Sequence, residues 1–193
     1  LDDSVHVVFE GAMTDTTVTV NGKSAGPTHQ GGFYRFSYEI TELIKAGTNQ
    51  IEVTVSKESG NKSVNFAERR GDYWTFGGIF RPVWLEARPS RHIDWTAIDA
   101  RADGSFYARA HLNGVVPAGF RAQARIADSS GKIVGTFEGR WLRDTAIFVG
   151  QVPSPSQWSA ETPSLYSTEF SLLDGEAPVH ELRQRFGFRT LEV

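Results

Sequence analysis

The sequence predicts an all-β protein of two tandem β-sandwiches, and three observations carry that expectation. Short apolar runs alternate with polar residues at the period of two that a half-buried strand requires. Dipeptides that tolerate positive φ punctuate these runs at Asn21-Gly22, Asp103-Gly104, Asn113-Gly114, Ser130-Gly131 and Asp174-Gly175. The pattern also stops and restarts at Arg88-Pro89-Ser90, where proline cannot donate to a ladder, which divides the 193 residues into 1–88 and 89–193.

In the first part, His6 to Phe9 reads as a short apolar strand. Thr16 to Val20 alternates cleanly, with Val18 and Val20 on one face and Thr17 and Thr19 on the other, and Asn21-Gly22 turns it into a hairpin. The stretch from His29 to Phe36 is expected to be a loop through Gly31-Gly32 followed by a strand through Phe33 and Phe36. Ile40 to Lys45 is the one helical candidate, a turn or two capped by Thr41. Gly47 ends it, and Gln50 to Val55 is a strand with Ile51, Val53 and Val55 inward. Ser56 to Arg70 reads as a long polar loop, and loops of that length in compact domains tend to be functional.

The second part contains about seven strands: Asp94–Ala100, Ser105–Leu112, Phe120–Ala127, Ile133–Phe137, Ala146–Val149, Leu165–Leu173 and His180–Arg189. Seven short strands over some 100 residues, separated by turn signals, is the count of an immunoglobulin-like sandwich. The last strand is the clearest, with Leu182, Phe186 and Phe188 facing one way and Arg183, Arg185 and Arg189 the other. Trp141, Trp158 and Tyr166 read as core and edge packing.

Composition excludes several classes. With 39% apolar and 22% charged residues the chain can bury a core and is not disordered. A net charge of −3 gives no basic footprint for nucleic acid. The absence of cysteine excludes disulfides, thiolate metal sites and a cysteine nucleophile. No apolar run approaches the roughly 20 residues of a membrane span. His6, His92, His111 and His180 are scattered without ligand spacing, so no metal role is assigned to them. The chain begins at Leu1 without a signal-peptide pattern, so it is expected to be a piece of a longer polypeptide.

One stretch departs from simple alternation. Glu68 to Glu86, ERRGDYWTFGGIFRPVWLE, sets Asp72 beside Tyr73 and Trp74 and breaks any early strand at Gly77-Gly78. It reads as a loop that presents a carboxylate and aromatics, then bends into a strand over Ile79–Ala87. Glu68, Arg69 and Arg70 read as a solvated charge run or part of a charge network, and Arg81 as the partner of a carboxylate at the domain junction, because a lone buried guanidinium is costly.

Several segments carry a resemblance in order along the chain. TVTVNGKSAG is similar to a VxVNGxxxG hairpin, HQGGFYRFSYEIT to GGFxxFxxDIT, DYWTFGGIFRPV (Asp72–Val83) to the following signature, WSAETPSLY (Trp158–Tyr166) to WSxxxPxLY, and FGFRTLEV (Phe186–Val193) to a strand that leads into a barrel. Together these resemble glycoside hydrolase family 2, nearest to its β-galactosidases. The resemblance implies a galactose-binding-like jelly-roll domain, incomplete at its N-terminus, in residues 1–88, then an immunoglobulin-like β-sandwich in 89–193. It further implies a (β/α)8 barrel, absent from these residues, that carries both catalytic glutamates.

Physical reasoning agrees that catalysis is not housed here. A retaining glycosidase needs two carboxylates about 5–5.5 Å apart, and a barrel needs roughly 250 residues of alternating strands and helices. The Asn-Glu dipeptide that carries the acid/base in this family does not occur in the chain. What the resemblance implies for these residues is substrate binding. Asp72 reaches toward the galactosyl 6-hydroxyl, in some members through a sodium ion, so sodium or magnesium is a cofactor of the parent enzyme at most. Trp74 lies beside it, either as packing or as a sugar platform, and His29 and Gln30 lie on a second loop that can approach the site or remain surface. From the residues alone, Asp72 caps a turn in a solvated loop.

The expected partners are a β-galactoside-type carbohydrate and the chain's own barrel, with an oligomer allowed. Two other readings stay open: an autonomous carbohydrate-binding or lectin-like module, and a structural interaction module.

Overall fold

The computed structural model describes residues 3–72 and 74–192 and separates into two compact units, Leu1–Ser90 and Arg91–Val193. Each is a β-sandwich. In the first unit the strands are β1 (Asp3–Phe9), β2 (Ala12–Met13), β3 (Asp15–Val20), β4 (Lys23–Ser24), β5 (Phe36–Glu39), β6 (Ile51–Ser56), β7 (Gly78–Ile79) and β8 (Val83–Pro89), with one α-helix, α1 (Lys62–Arg69), between β6 and β7. Two three-stranded antiparallel sheets, β5-β1-β8 and β4-β3-β6, form its layers, and β2 pairs with β7 in a small ribbon.

Alternation places the core of this unit. Thr16, Val18 and Val20 of β3 point inward while Thr17 is exposed, and they meet Val7 and Phe9 of β1 together with Tyr38 and Ile40. Asn21 at φ 50° and Gly22 at φ 78° make the turn that closes Val20 against Lys23. One flank of the core face stays open. Leu85 lies opposite Val7 in the β1–β8 register and so points to the same face, yet Leu85 is 61% exposed where Val7 is buried.

The second unit contains β9 (Ile93–Ala100), β10 (Ser105–Leu112), β11 (Phe120–Ala127), β12 (Ile133–Glu138), β13 (Arg140–Leu142), β14 (Thr145–Gln151), β15 (Tyr166–Asp174) and β16 (Ala177–Phe186). Its sheets run β13-β14-β10-β9 and β12-β11-β15-β16. Small residues at inward positions (Ala108, Ala110, Ala122, Ala124 and Ala146) leave room for the rings of Phe106, Phe148 and Phe170, so the layers interdigitate. Trp141 packs against this core and donates its indole N–H to the Phe120 carbonyl at 2.9 Å. Buried Tyr166 accepts the Ser156 N–H at 2.8 Å, and the Arg189 guanidinium lies 4.9 Å over the Trp158 ring.

Several sequence expectations need correction. Ser56–Arg70 is not all loop: it contains α1, whose N-cap Asn61 accepts the Ser63 N–H at 2.9 Å. The expected helix at Ile40–Lys45 is a single 3₁₀ turn, Thr41–Leu43, and Thr41 does not cap it; the Thr41 hydroxyl instead accepts the Val5 N–H at 2.8 Å. Phe33 precedes the strand, which begins at Phe36, and Ile51 of β6 is exposed rather than inward. The strand expected over Ile79–Ala87 is two elements, β7 and β8, separated at Phe80–Pro82. The closing strand ends at Phe186, beyond which Phe188 is buried in a parallel bridge with Gln157. Strand β13 was not anticipated, because its return to β14 passes through Arg143 at φ 58°, a residue that does not announce a turn.

Candidate functional site

Two loops of the first unit carry the residues singled out from the sequence. His29 sits half-buried beside β3, its backbone exchanging hydrogen bonds of 2.9 Å with Thr16 in both directions. Its ring stacks on Phe36 with centroids 3.7 Å apart, and its Nε2 lies 2.9 Å from the Gly31 carbonyl, to which it donates. Burial pushes the imidazole below its usual range, offset in part by the Gly31 carbonyl and the nearby charges of Glu68 and Asp15. His29 is therefore a packed, half-buried histidine.

Gln30 is exposed and tied to Asp15, whose Oδ2 accepts the Gln30 side-chain N–H at 3.1 Å and the Gly60 backbone N–H at 2.8 Å. Burial opposes ionisation of Asp15, but the Ser59 side chain, the Gly60 N–H, Gln30 and the His29 charge together hold its carboxyl below the usual carboxylate range. Asn65 closes the same corner, its side chain accepting the Ser59 N–H at 2.9 Å and donating to the Ser59 carbonyl at 2.7 Å. The segment that enters α1 is thus fastened to the His29 loop through Asp15 and Gln30.

The far end of α1 is fastened too. Glu68, read from the sequence as part of a charge run or network, is only 8% exposed, and its Oε2 accepts the Gly32 N–H at 2.7 Å. Gly31 takes φ 113°, a conformation side chains rarely adopt, and a Cβ on Gly32 would sit 2.7 Å from the Met13 terminal methyl. These two glycines let the loop come close enough for the Glu68 bond. Arg69 donates to the Lys57 carbonyl, and Arg70 lies 5.1 Å over the Phe66 ring.

Asp72 follows directly in a bend, with Trp74 in irregular chain just beyond it, and both are exposed. Trp74 is 90% exposed, so within this chain it is not the packing residue that the sequence suggested. Tyr73 lies outside the described residues. None of the hydrogen bonds or ring contacts of His29 and Gln30 reaches Asp72 or Trp74; the two loops are joined through Glu68 and Gly32 instead.

Beyond the bend, Phe76 stacks on Phe80 at 4.7 Å, Phe80 meets Phe33 edge-on at 6.3 Å, and Arg81 lies 5.3 Å over the Phe80 ring. Arg81 is exposed and directs its guanidinium at the Glu10 and Phe33 carbonyls, at 3.4 and 3.3 Å, rather than at a carboxylate. The reason for a buried ion pair disappears, since an exposed guanidinium keeps its hydration.

The chemistry on offer here is recognition. Asp15 and Glu68 are already engaged with N–H donors, whereas Asp72 and Trp74 present a carboxylate and an indole outward. A hard cation such as sodium or magnesium takes six or more oxygen ligands, and no group of three or more His, Cys, Asp or Glu residues is gathered among the described residues. The described residues therefore do not make a complete cation site.

Comparison with known proteins now decides the family. The model for the sugar-binding domain of the family 2 glycosyl hydrolases matches residues 1–89, and a second family 2 model matches residues 91–189. The chain belongs to glycoside hydrolase family 2. Among family relatives, a protein of Formosa agariphila whose β-glucuronidase name is provisional is 31% identical over 192 residues, covering 97% of this chain and 23% of its own length. A β-galactosidase of Leuconostoc mesenteroides is 30% identical over 202 residues, covering 97% of this chain and 19% of its own length. The crystal structure of an FMN-binding β-glucuronidase from Facaelibacterium prausnitzii L2-6 matches with a TM-score of 0.79 at 28% identity, over 96% of this chain and 30% of that one. The chain spans about a fifth of the length of the curated family 2 relatives it matches. No helix among the described residues is long and apolar enough to cross a membrane.

Proposed function

We propose that this chain is the non-catalytic sandwich pair of a family 2 glycoside hydrolase of β-galactosidase type, and that it supplies one wall of an active site whose two reacting carboxylates lie elsewhere in the parent polypeptide. The observation that carries this reading is the Asp72–Trp74 bend, anchored at its root by Glu68 and presented outward from a domain whose family model is a sugar-binding one. In this reading Asp72 accepts a hydrogen bond from a sugar hydroxyl, or contributes one ligand to a bound sodium or magnesium ion, and Trp74 lies against a sugar face. His29 and Gln30 shape the neighbouring loop; their bonds to Gly31 and Asp15 suit them to hold that loop rather than to touch substrate.

A hydrogen bond to a charged group is worth about 1.5–3 kcal/mol. Asp72→Ala in the parent enzyme is therefore expected to lower kcat/KM by roughly ten- to a hundredfold while the fold is retained. Wild-type kinetics from that variant would remove Asp72 from the site. A second reading, a β-glucuronide substrate, is favoured by the names of the Formosa and Facaelibacterium relatives. Hydrolysis of nitrophenyl β-galactoside against nitrophenyl β-glucuronide by the parent enzyme separates the two.

A further inference from the structure

We infer that Glu68 is a positioning residue for the Asp72–Trp74 bend, fixing where helix α1 ends and hence where the bend leaves the domain. This rests on the reading above that the bend is an active-site wall.

The geometry is unusual for a glutamate in the last turn of a helix. A carboxylate at a helix C-terminus faces the negative end of the helix dipole and gains nothing from it. Glu68 is nevertheless buried, with its Oε2 on the Gly32 N–H at 2.7 Å, a short, charge-assisted bond. A buried carboxylate is expensive unless its hydrogen bonds are made, so this bond is a requirement of the local fold rather than an accident of the surface. The loop it grips is held independently from the other side: His29 is stacked on Phe36 and bridged to Thr16, and Gln30 is bonded to Asp15. Gly32 is therefore a fixed post. With α1 tied to the same loop at its entry through Asp15 and Gly60, the helix is clamped at both ends, and only three residues separate Glu68 from Asp72. A chain released at Glu68 would let the bend swing with the frayed end of the helix.

The test has two arms. In the 193-residue chain, amide hydrogen exchange is measured at Ala67 and Arg69, in the last turn of α1 from which the bend departs, for wild type, Glu68→Ala, Glu68→Asp and Glu68→Gln. Glu68→Ala should speed exchange at these amides by about tenfold or more relative to amides of β3 and β10. Glu68→Gln, which keeps an acceptor oxygen in the same place, should restore most of the protection. Equal acceleration everywhere, or none at the helix end, would overturn the proposal; should Glu68→Ala fail to fold, Glu68→Asp, whose carboxylate is too short to reach the Gly32 N–H, takes its place, with accelerated exchange confined to the helix end supporting the proposal and unchanged exchange refuting it.

In the parent enzyme, Glu68→Ala should lower kcat/KM in the same direction as Asp72→Ala, and the double variant should lose little more than Asp72→Ala alone. Full activity in Glu68→Ala beside a damaged Asp72→Ala would sink the inference while leaving the functional reading intact. Full activity in Asp72→Ala would instead sink the functional reading, with the exchange arm still deciding whether Glu68 holds the bend.

Discussion

Replacing Leu85 by serine should cost far less stability than its place in the sheet suggests. Leu85 pairs with Val7 on the core face of β1–β8, where a leucine would ordinarily be sealed. Full burial of a leucine side chain is worth about 1.5–3 kcal/mol. At 61% exposure only about four-tenths of that is realised, so Leu85→Ser is expected to lose roughly 0.6–1.2 kcal/mol. Leu172→Ala makes the control: that side chain is fully buried between the sheets of the second unit, and removing it should cost about 2–5 kcal/mol. Urea denaturation of the 193-residue chain, followed by tryptophan fluorescence at two protein concentrations, measures both. A loss above about 2 kcal/mol for Leu85→Ser would refute the reasoning, since it would mean that something covers this flank in solution. A concentration-dependent midpoint would then identify a second copy as the cover.

Two further outcomes follow from the same structure. The 193-residue chain should show no saturable galactose binding below millimolar concentrations. One exposed carboxylate and one exposed indole offer about 1.5–3 kcal/mol per charged hydrogen bond against an association cost of at least about 4 kcal/mol; a micromolar constant by calorimetry would favour an autonomous carbohydrate-binding module. In the second unit, Glu169 lies opposite both Arg125 and Arg183 across three strands, bonded at 2.6 and 2.7 Å. Burial raises its pKa, but the two guanidinium groups more than reverse this and hold its carboxyl below the usual carboxylate range. A depressed carboxylate pKa stabilises the fold above the unfolded value and is lost as pH falls through the folded one. Stability should therefore fall on acidification below about pH 4.5, and Glu169→Gln should flatten that limb in thermal melts; an unchanged acid limb would show that the triad contributes nothing.

The sequence by itself determined the architecture, because strand alternation and glycine turns are local. β3 with its Asn21-Gly22 turn, and the spans of β10 and β11, could be read from neighbouring residues and match the structure residue for residue or nearly so. The order of the motifs was equally legible and led to the family. Asp72 and Trp74 could be named because they stand in a motif, although nothing in the sequence told that Trp74 would be almost wholly exposed.

What only the tertiary structure decided depends on partners far apart in the chain. Helix α1 escaped notice because its residues are mostly polar and its hold on the domain comes from Asp15 and Gly32, at separations of 45 and 36 residues. Glu68 looked like one charge in a run of three until folding placed it beneath the Gly31-Gly32 loop, where a backbone N–H needed an acceptor. Arg81 was expected to seek a carboxylate, but it remains exposed and rests on Phe80. Burial is a property of the assembled layers, and it is burial that turns a glutamate from a solvated charge into a clamp.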